Sequence, residues 1–169
     1  MDAALLRADC ANCAALCCVA LAFDRSELFA IDKACGEACP NLDGSGGCRI
    51  YEDRAGYGFR GCEYFDCLGA GQRVTQDLFG GRSWQQEPGL LAPMLRAFEV
   101  MRRVHEWLAL LHQAARFDLA ADERRALAAL EAELDPPQGW TAPALAALRV
   151  EDAGARVQAF LASLKAYVA

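Results

Sequence analysis

Residues 88–112 read PGLLAPMLRAFEVMRRVHEWLALLH, and this stretch of the 169-residue chain decides the fold. Apolar side chains and histidines recur in it at steps of three and four residues, at Leu91, Met94, Phe98, Met101, His105, Leu108 and His112. This spacing places the side chains on one face of an α-helix. A neighbouring stripe is also apolar, at Leu90, Met94, Ala97, Met101, Val104, Leu108 and Leu111. We therefore predict a long helix that begins at Pro88 and is buried along a wide face.

Three shorter helical segments are expected after this helix. Residues 120–134 form one, with Asp118 as its N-cap, because an aspartate side chain can accept hydrogen bonds from the free N–H groups of a first turn. Thr141 caps a second segment, which has Pro143 in its first turn. The last helix covers residues 151–168. Four helical segments of this size predict a small antiparallel bundle in a mainly α fold.

The sequence changes character near residue 83. All nine cysteines lie between Cys10 and Cys67, in short pieces that are joined by turns. We therefore expect residues 1–83 to form an irregular cysteine-rich module that packs on the helical bundle of residues 84–169, the two parts making one continuous fold. The glycine-containing segment 69–87 is expected to be either their junction or a packed loop.

Charge and compartment limit what the cysteines can do. The net charge is -6 and the isoelectric point is about 4.9, so the surface as a whole does not favour nucleic acid. The N-terminus lacks a basic region, and the longest apolar run, residues 14–23, is too short to cross a membrane. We expect a cytoplasmic protein without nucleic-acid or membrane partners. Thiols stay reduced in the cytoplasm, so a cysteine cluster there indicates a metal site.

The first cysteine cluster has the pattern Cys10-x2-Cys13-x3-Cys17-Cys18. If residues 9–22 are helical, Cys10, Cys13 and Cys17 lie within about 60° of one another and share one stripe. Cys18 is then rotated by about 100° from Cys17, so the adjacent cysteines serve different sites or different edges of one large cluster.

The later cysteines are held by turns, as in small domains that close around a metal site. They are Cys35, Cys39, Cys48, Cys62 and Cys67. A reasonable division gives Cys10, Cys13 and Cys17 one later partner in a first site, and gives Cys18 three later partners in a second. The spacing does not say which later cysteine belongs to which site.

These segments resemble a known family. The matching stretches are residues 10–18 (CANCAALCC), 39–42 (CPNL), 48–54 (CRIYEDR) and 61–67 (GCEYFDC). Together they resemble the YkgJ-type cysteine-cluster family of zinc- or iron-chelating proteins, up to about residue 67. The resemblance implies eight metal ligands, at Cys10, Cys13, Cys17, Cys18, Cys39, Cys48, Cys62 and Cys67. Cys35 falls outside the pattern and is expected to be a bystander thiol.

A second resemblance covers residues 26–84, which are similar to the N-terminal region of some actinobacterial pentapeptide-repeat proteins. The 169 residues contain no pentapeptide repeats. Neither resemblance accounts for the helical C-terminal half.

The choice of metal depends on the surroundings of the thiolates. All-thiolate sites suit zinc and iron–sulfur clusters equally. The absence of histidine near the cysteines favours iron–sulfur, as do nearby glycines whose amides could reach cluster sulfurs: Gly56, Gly58, Gly61, Gly69 and Gly71. We expect one or two iron–sulfur clusters of the 4Fe–4S type, with zinc as the alternative. Aromatic side chains are expected to shield the metal from water; they are Tyr51, Tyr57, Phe59, Tyr64 and Phe65.

Three functions remain open. The first is a cluster-carrying protein with a redox or other cluster-dependent role. The second is a structural zinc protein whose helical half binds a protein partner. The third is an enzyme, because the cysteine-cluster family is similar in its motif to flagellin lysine N-methylase, which implies cluster-dependent modification of a protein or peptide. No catalytic residue is assigned, and the protein or peptide partner is not identified by the sequence.

The remaining polar residues have simpler expected roles. His105 and His112 lie about 10.5 Å apart along one helix face, so they cannot share an ion. We expect both on the helix flank, with the alternative that one faces the cysteine module as a proton donor or a ligand. Residues 69–73 are expected to form a turn and not a phosphate-binding loop. The acids Glu52, Asp53 and Asp66 are expected to be solvated or to form ion pairs with Arg49, Arg54 and Arg60, the alternative being general acid–base groups beside a cluster.

Overall fold

The structure is a computed structural model that describes residues 3–167. Within that range the α-helices are α1 (Cys17–Ala20), α2 (Gly61–Tyr64), α3 (Ala70–Arg73), α4 (Leu91–Ala114), α5 (Ala121–Leu134), α6 (Ala142–Ala146) and α7 (Val150–Ser163). Residues 3–167 contain no extended strand, only two isolated antiparallel bridges, Phe23 with Lys33 and Leu42 with Cys48. The predicted mainly α fold, an irregular cysteine-rich part packed on a C-terminal helical bundle, is confirmed.

Helix α4 is the predicted long helix and the central element of the fold. A short 3-10 turn, Pro88–Leu90, leads into it. Its buried side chains are Met94, Phe98, Met101, Val104, His105, Leu108, Leu111 and Ala114. It packs against α5, α6 and α7 on one side and against α1 and α3 on the other. The wide apolar face read from the sequence therefore serves both halves of the chain.

The start of α5 differs from the expectation. Ala120, and not Asp118, precedes the first turn with an extended backbone. Its N–H donates to Oε2 of Glu123 at 2.7 Å. A carboxylate that folds back from the third helical position thus takes the capping role predicted for Asp118.

The ends of the last two helices follow the sequence more closely. Thr141 caps α6 as predicted, because its Oγ1 accepts a hydrogen bond from the Ala144 N–H at 3.3 Å. Helix α7 ends at Ser163 and continues as a 3-10 turn, Leu164–Tyr167. Residue 168, the predicted end of this helix, lies outside the described residues.

The predicted helix over residues 9–22 is wrong. Cys10–Asn12 form a 3-10 turn, Cys13 is extended, Ala15 has a left-handed backbone with φ of 55°, and only α1 is helical. Tertiary hydrogen bonds replace helical ones here, because the Ala14 N–H donates to Thr75 Oγ1 at 3.0 Å and its carbonyl accepts from Trp84 Nε1 at 2.8 Å. Cys10, Cys13 and Cys17 therefore do not share a helical stripe.

Segment 69–87 is a packed part of the fold. Gly69 adopts a left-handed conformation and starts α3, so the turn predicted at residues 69–73 is wrong. A π-helical turn, Val74–Leu78, continues α3. Ala70 and Val74 are fully buried in one hydrophobic cluster with residues of α4, α5, α6 and α7. The two halves of the chain thus share a single core.

None of the described helices is both long and apolar enough to cross a lipid bilayer.

The central role of α4 gives a test with a matched control. Leu108 is fully buried, whereas Leu110 on the same helix is 50% exposed. Replacing Leu108 by Ala should lower the free energy of unfolding by about 3 kcal/mol, since a buried leucine leaves a cavity. Leu110→Ala should cost less than about 1 kcal/mol. Urea denaturation of the two variants measures the difference, and equal losses would contradict the central position of α4.

Candidate metal centre

Cys10, Cys13, Cys17 and Cys67 form one group of neighbouring thiols, called the first quartet below. Burial raises the pKa of Cys10 and of Cys13, and the Cys67 thiol raises both further. The pKa of Cys17 is raised by its hydrogen bond to Cys18 and by burial, and then by Cys13 and Cys67. Cys67 therefore lies within electrostatic reach of Cys10, Cys13 and Cys17, and Cys18 lies within reach of Cys10 and Cys17.

Cys18, Cys39, Cys48 and Cys62 form a second group, called the second quartet. Burial raises the pKa of Cys39 and raises that of Cys62 to about 11, and the charges of Cys18 and Cys48 add to both. The Cys39 N–H also donates to the Cys18 carbonyl at 2.9 Å. The electrostatic neighbours of the thiols thus place Cys67 with Cys10, Cys13 and Cys17, and place Cys39, Cys48 and Cys62 with Cys18, which adjoins both groups.

Cys18 lies between the quartets. Its sulfur is 4.0 Å from that of Cys17, the only sulfur–sulfur contact of hydrogen-bond length among the described residues. Within residues 3–167 no three Cys, His, Asp or Glu side chains come close enough to enclose a single metal ion. Metal binding at either quartet therefore requires its sulfur atoms to move or to surround something larger than one ion.

Several groups around the quartets stabilise the deprotonated, thiolate form of the cysteines. Burial dominates the raised pKa of Cys13, but the N–H groups of Leu16 and Ala15 and the hydroxyl of Thr75 act against it. The N–H of Asn41 acts in the same way on Cys39. Donors that point at a sulfur stabilise its charged form and orient it as a ligand. The chemistry of both donor sets fits a thiolate-bound metal or cluster.

The backbone around the first quartet is strained. Ala15, between Cys13 and Cys17, has φ of 55°, and Leu68, directly after Cys67, has φ of 51°. They are the only non-glycine residues with positive φ in the described chain. Non-glycine residues rarely adopt a positive φ, and backbone strain of this kind is concentrated at functional sites.

Gly71 in α3 lies against the sulfurs of the first quartet. A Cβ at this position would be 2.6 Å from Cys13 Sγ and 3.8 Å from Cys67 Sγ, so only glycine fits. The amides of three other glycines that are predicted to reach cluster sulfurs donate elsewhere: Gly56 to Asp53 Oδ1, Gly58 to the Ala55 carbonyl and Gly61 to the Leu28 carbonyl.

Residues from segment 69–87 hydrogen-bond to the backbone between Cys13 and Cys17 of the first quartet. Thr75 Oγ1 donates to the Gly71 carbonyl at 2.9 Å while it accepts from the Ala14 N–H. Trp84 Nε1 donates a hydrogen bond to the Ala14 carbonyl. Sequence reasoning missed Thr75 and Trp84, because these contacts join residues more than 60 positions apart.

His105 is buried and faces the cysteine-rich half, so the expectation of a helix-flank residue is wrong for it, although its contacts are with Leu68 and Arg73 and not with a cysteine. It is fully buried in α4, with Nδ1 2.5 Å from the Leu68 carbonyl and Nε2 3.4 Å from Arg73 Nη1. Arg73 in turn pairs with Asp135 and, at 3.5 Å, with Asp77. Burial is the main cause that lowers the pKa of His105 to about 4. A neutral ring that donates from Nδ1 and accepts at Nε2 satisfies both neighbours.

The predicted aromatic shield is wrong for the tyrosines. Tyr51, Tyr57 and Tyr64 are exposed. Phe59 is buried, but it packs edge-on against Phe23 and Phe29 at ring distances of 6.2 and 6.5 Å. These rings form a separate aromatic cluster.

The predicted ion pairs of this region are also wrong. Asp53 and Asp66 accept hydrogen bonds from backbone N–H groups, those of Gly56 and Leu68. Arg49 donates to the carbonyls of Leu42 and Pro40. The turns between the cysteines leave main-chain groups that these side chains satisfy instead.

Cys35 lies outside both quartets. It is exposed, and its thiol donates to the Ala20 carbonyl at 3.0 Å.

Comparison with known proteins gives one relative without an assigned function. The chain is 43% identical over 115 residues to the uncharacterized protein YybG of Bacillus subtilis (strain 168). The match covers 68% of this chain but only 41% of that protein. No protein-family model matches the chain, and no solved structure is significantly similar to it.

The contact at Gly71 predicts an unusual glycine effect. Gly→Ala inside a helix ordinarily stabilises by up to about 1 kcal/mol. Gly71→Ala should instead destabilise by about 1–3 kcal/mol, because its methyl group collides with Cys13 Sγ. Gly89→Ala is the control, since nothing lies within 4 Å of its added Cβ. Thermal or urea unfolding compares them, and a stabilised Gly71→Ala would contradict the described packing.

The buried His105 predicts a pH-dependent stability. The folded chain keeps the ring neutral down to about pH 4, whereas the unfolded chain protonates it near 6.5. Its contribution is complete above pH 6.5 and is lost as the pH falls toward 4, by about 3 kcal/mol. His105→Gln should remove this part of the pH dependence, and His112→Gln should retain it. Urea unfolding from pH 7 to 5 tests this, and equal slopes for wild type and His105→Gln would contradict it.

Proposed function

We propose that this chain is a cytoplasmic metal-binding protein in which each cysteine quartet holds a thiolate-ligated iron–sulfur cluster of the 4Fe–4S type. The observation that carries the proposal is the division of eight cysteines into two neighbouring sets of four. A 4Fe–4S cluster takes four cysteine thiolates. All nine cysteines are free thiols, which suits a reducing compartment.

The spacing of the sulfurs favours a cluster over single zinc ions. A tetrahedral zinc site with bonds of about 2.3 Å brings its sulfurs within about 3.8 Å of one another. Only Cys17 and Cys18, which fall in different quartets, approach this distance among the described cysteines. A four-iron core spreads its ligands more widely. Two structural zinc ions, with the helical half as a protein-binding surface, are the alternative.

Such a cluster would supply one-electron transfer or, with an open iron position, a binding point for a reactant. The chain's own residues bury the first quartet unevenly. Cys13, Cys17 and Cys67 are half-buried, whereas Cys10 is exposed. Access from a protein or peptide partner is therefore easiest at Cys10. The same open edge would serve the enzyme alternative, modification of a protein or peptide.

Metal analysis of anaerobically purified protein tests the proposal. Two 4Fe–4S clusters give about eight irons and eight acid-labile sulfides per chain, with broad visible absorption. A colourless protein without iron and sulfide overturns the cluster proposal. About two zinc ions per chain would establish the alternative.

Serine variants test the division into quartets. Cys67→Ser and Cys62→Ser should each remove about half of the bound iron and sulfide, because each breaks one quartet. Cys35→Ser is the matched control and should retain the full content. Complete loss of iron in both single variants would indicate one shared site instead of two.

A further inference from the structure

Lys33 and Arg73 are buried and Arg54 is partly buried, and these three cations differ in what neutralises them. Arg73 pairs with Asp135 and Asp77. Lys33 and Arg54 form no ion pair with any carboxylate of the described chain. We propose that the thiolates of the quartets are their missing anions, with Lys33 serving the second quartet and Arg54 shared between both. This inference rests on the proposed metal-binding function.

Lys33 is held in place but not neutralised. Its side chain is only 4% exposed. Nζ donates to the carbonyls of Val19, Ala34 and Glu37 at 3.1, 3.0 and 2.7 Å. These three bonds use every N–H of the ammonium group but supply no negative charge. A buried ammonium without a counter-charge is costly, so an anion is expected nearby.

Arg54 is left partly unsatisfied. Its Nε is buried and has no hydrogen-bond partner. The guanidinium lies 4.1 Å above the ring of Tyr51, which orients it without neutralising it. Arg54 follows the 3-10 turn Tyr51–Asp53, whose first N–H donates to the Cys48 carbonyl at 3.2 Å. It is therefore fixed beside the second quartet by local structure.

Lys33 Nζ binds the carbonyl of Val19, directly after Cys18, and that of Glu37, two residues before Cys39, so its contacts place it beside the second quartet. The pKa of Cys18 is lowered to about 7, mainly by the hydrogen bond from Cys17; Lys33 and Arg54 also lower it, and burial acts against them. Burial raises the pKa of Cys39, and Lys33 opposes it. In the same way Arg54 opposes burial at Cys62 of the second quartet and at Cys10 of the first.

The two sites are therefore electrostatically unequal. Four thiolates around a divalent ion, or around an oxidised 4Fe–4S core of charge about +2, leave a net charge of about -2. Lys33 and Arg54 together offset this charge at the second quartet. The first quartet has only its share of Arg54. Neither cation is a ligand; both act by stabilising the charged ligands.

Cobalt binding to the full-length metal-free chain tests this assignment. Co²⁺ alone is the probe, followed anaerobically by its thiolate charge-transfer absorption. The Cys67→Ser background leaves the second quartet intact, and the Cys62→Ser background leaves the first. In the Cys67→Ser background, Lys33→Gln and Arg54→Gln should each weaken Co²⁺ binding on the order of tenfold. In the Cys62→Ser background only Arg54→Gln should weaken it.

Two controls separate charge from structure. Arg60→Gln removes the same charge from an exposed position six residues away and should leave both affinities unchanged. Arg54→Lys keeps the charge and should restore most of the affinity. Circular dichroism and urea unfolding of each metal-free variant check the fold.

The possible failures are distinguishable. Unchanged affinity in Arg54→Gln, or failure of Arg54→Lys to rescue, overturns the role of Arg54. Equal weakening of both quartets by Lys33→Gln overturns the assignment of Lys33. If the parent chain binds no Co²⁺ at either quartet, this inference is overturned, whereas the cluster proposal is decided separately by its iron and sulfide content.

Discussion

The close approach of α3 to the loop around Cys13 is the contact on which the rest of the structure depends. It is possible only because residue 71 is glycine, since any Cβ there would collide with the Cys13 sulfur. The same approach lets Thr75 bind the main chain of Ala14 and brings Cys67 beside Cys13. Without this contact, the loop around Cys13 would lose its packing against α3 and the hydrogen bond from the Ala14 N–H to Thr75.

The helical bundle positions the cysteine-rich half through this contact. One face of α3 lies against the sulfurs, and its buried residues Ala70 and Val74 join the core around α4. His105 adds a polar connection, because it binds the carbonyl of the strained residue Leu68 next to Cys67. The position of Cys67 therefore depends on the packing of a helix nearly forty residues away.

The two quartets differ in construction. The first is held by tertiary packing and backbone strain and is open to solvent at Cys10. The second is held by turns and lies beside two cations that have no carboxylate partners in the described chain. A partially open site next to a charge-compensated one suits a protein in which one site reacts or exchanges while the other stabilises the fold.

The sequence by itself determined the mainly α architecture, the long buried helix at residues 88–112, and the crowding of all nine cysteines between Cys10 and Cys67. These features are readable because helical periodicity and cysteine spacing are local patterns. The tertiary structure alone decided that residues 9–22 do not form one helix, that Cys67 joins the first group, and that His105, Thr75, Lys33 and Arg54 surround the thiols. Each depends on contacts between distant residues, where a hydrogen bond or a missing Cβ outweighs the weak preference of a short segment for helix.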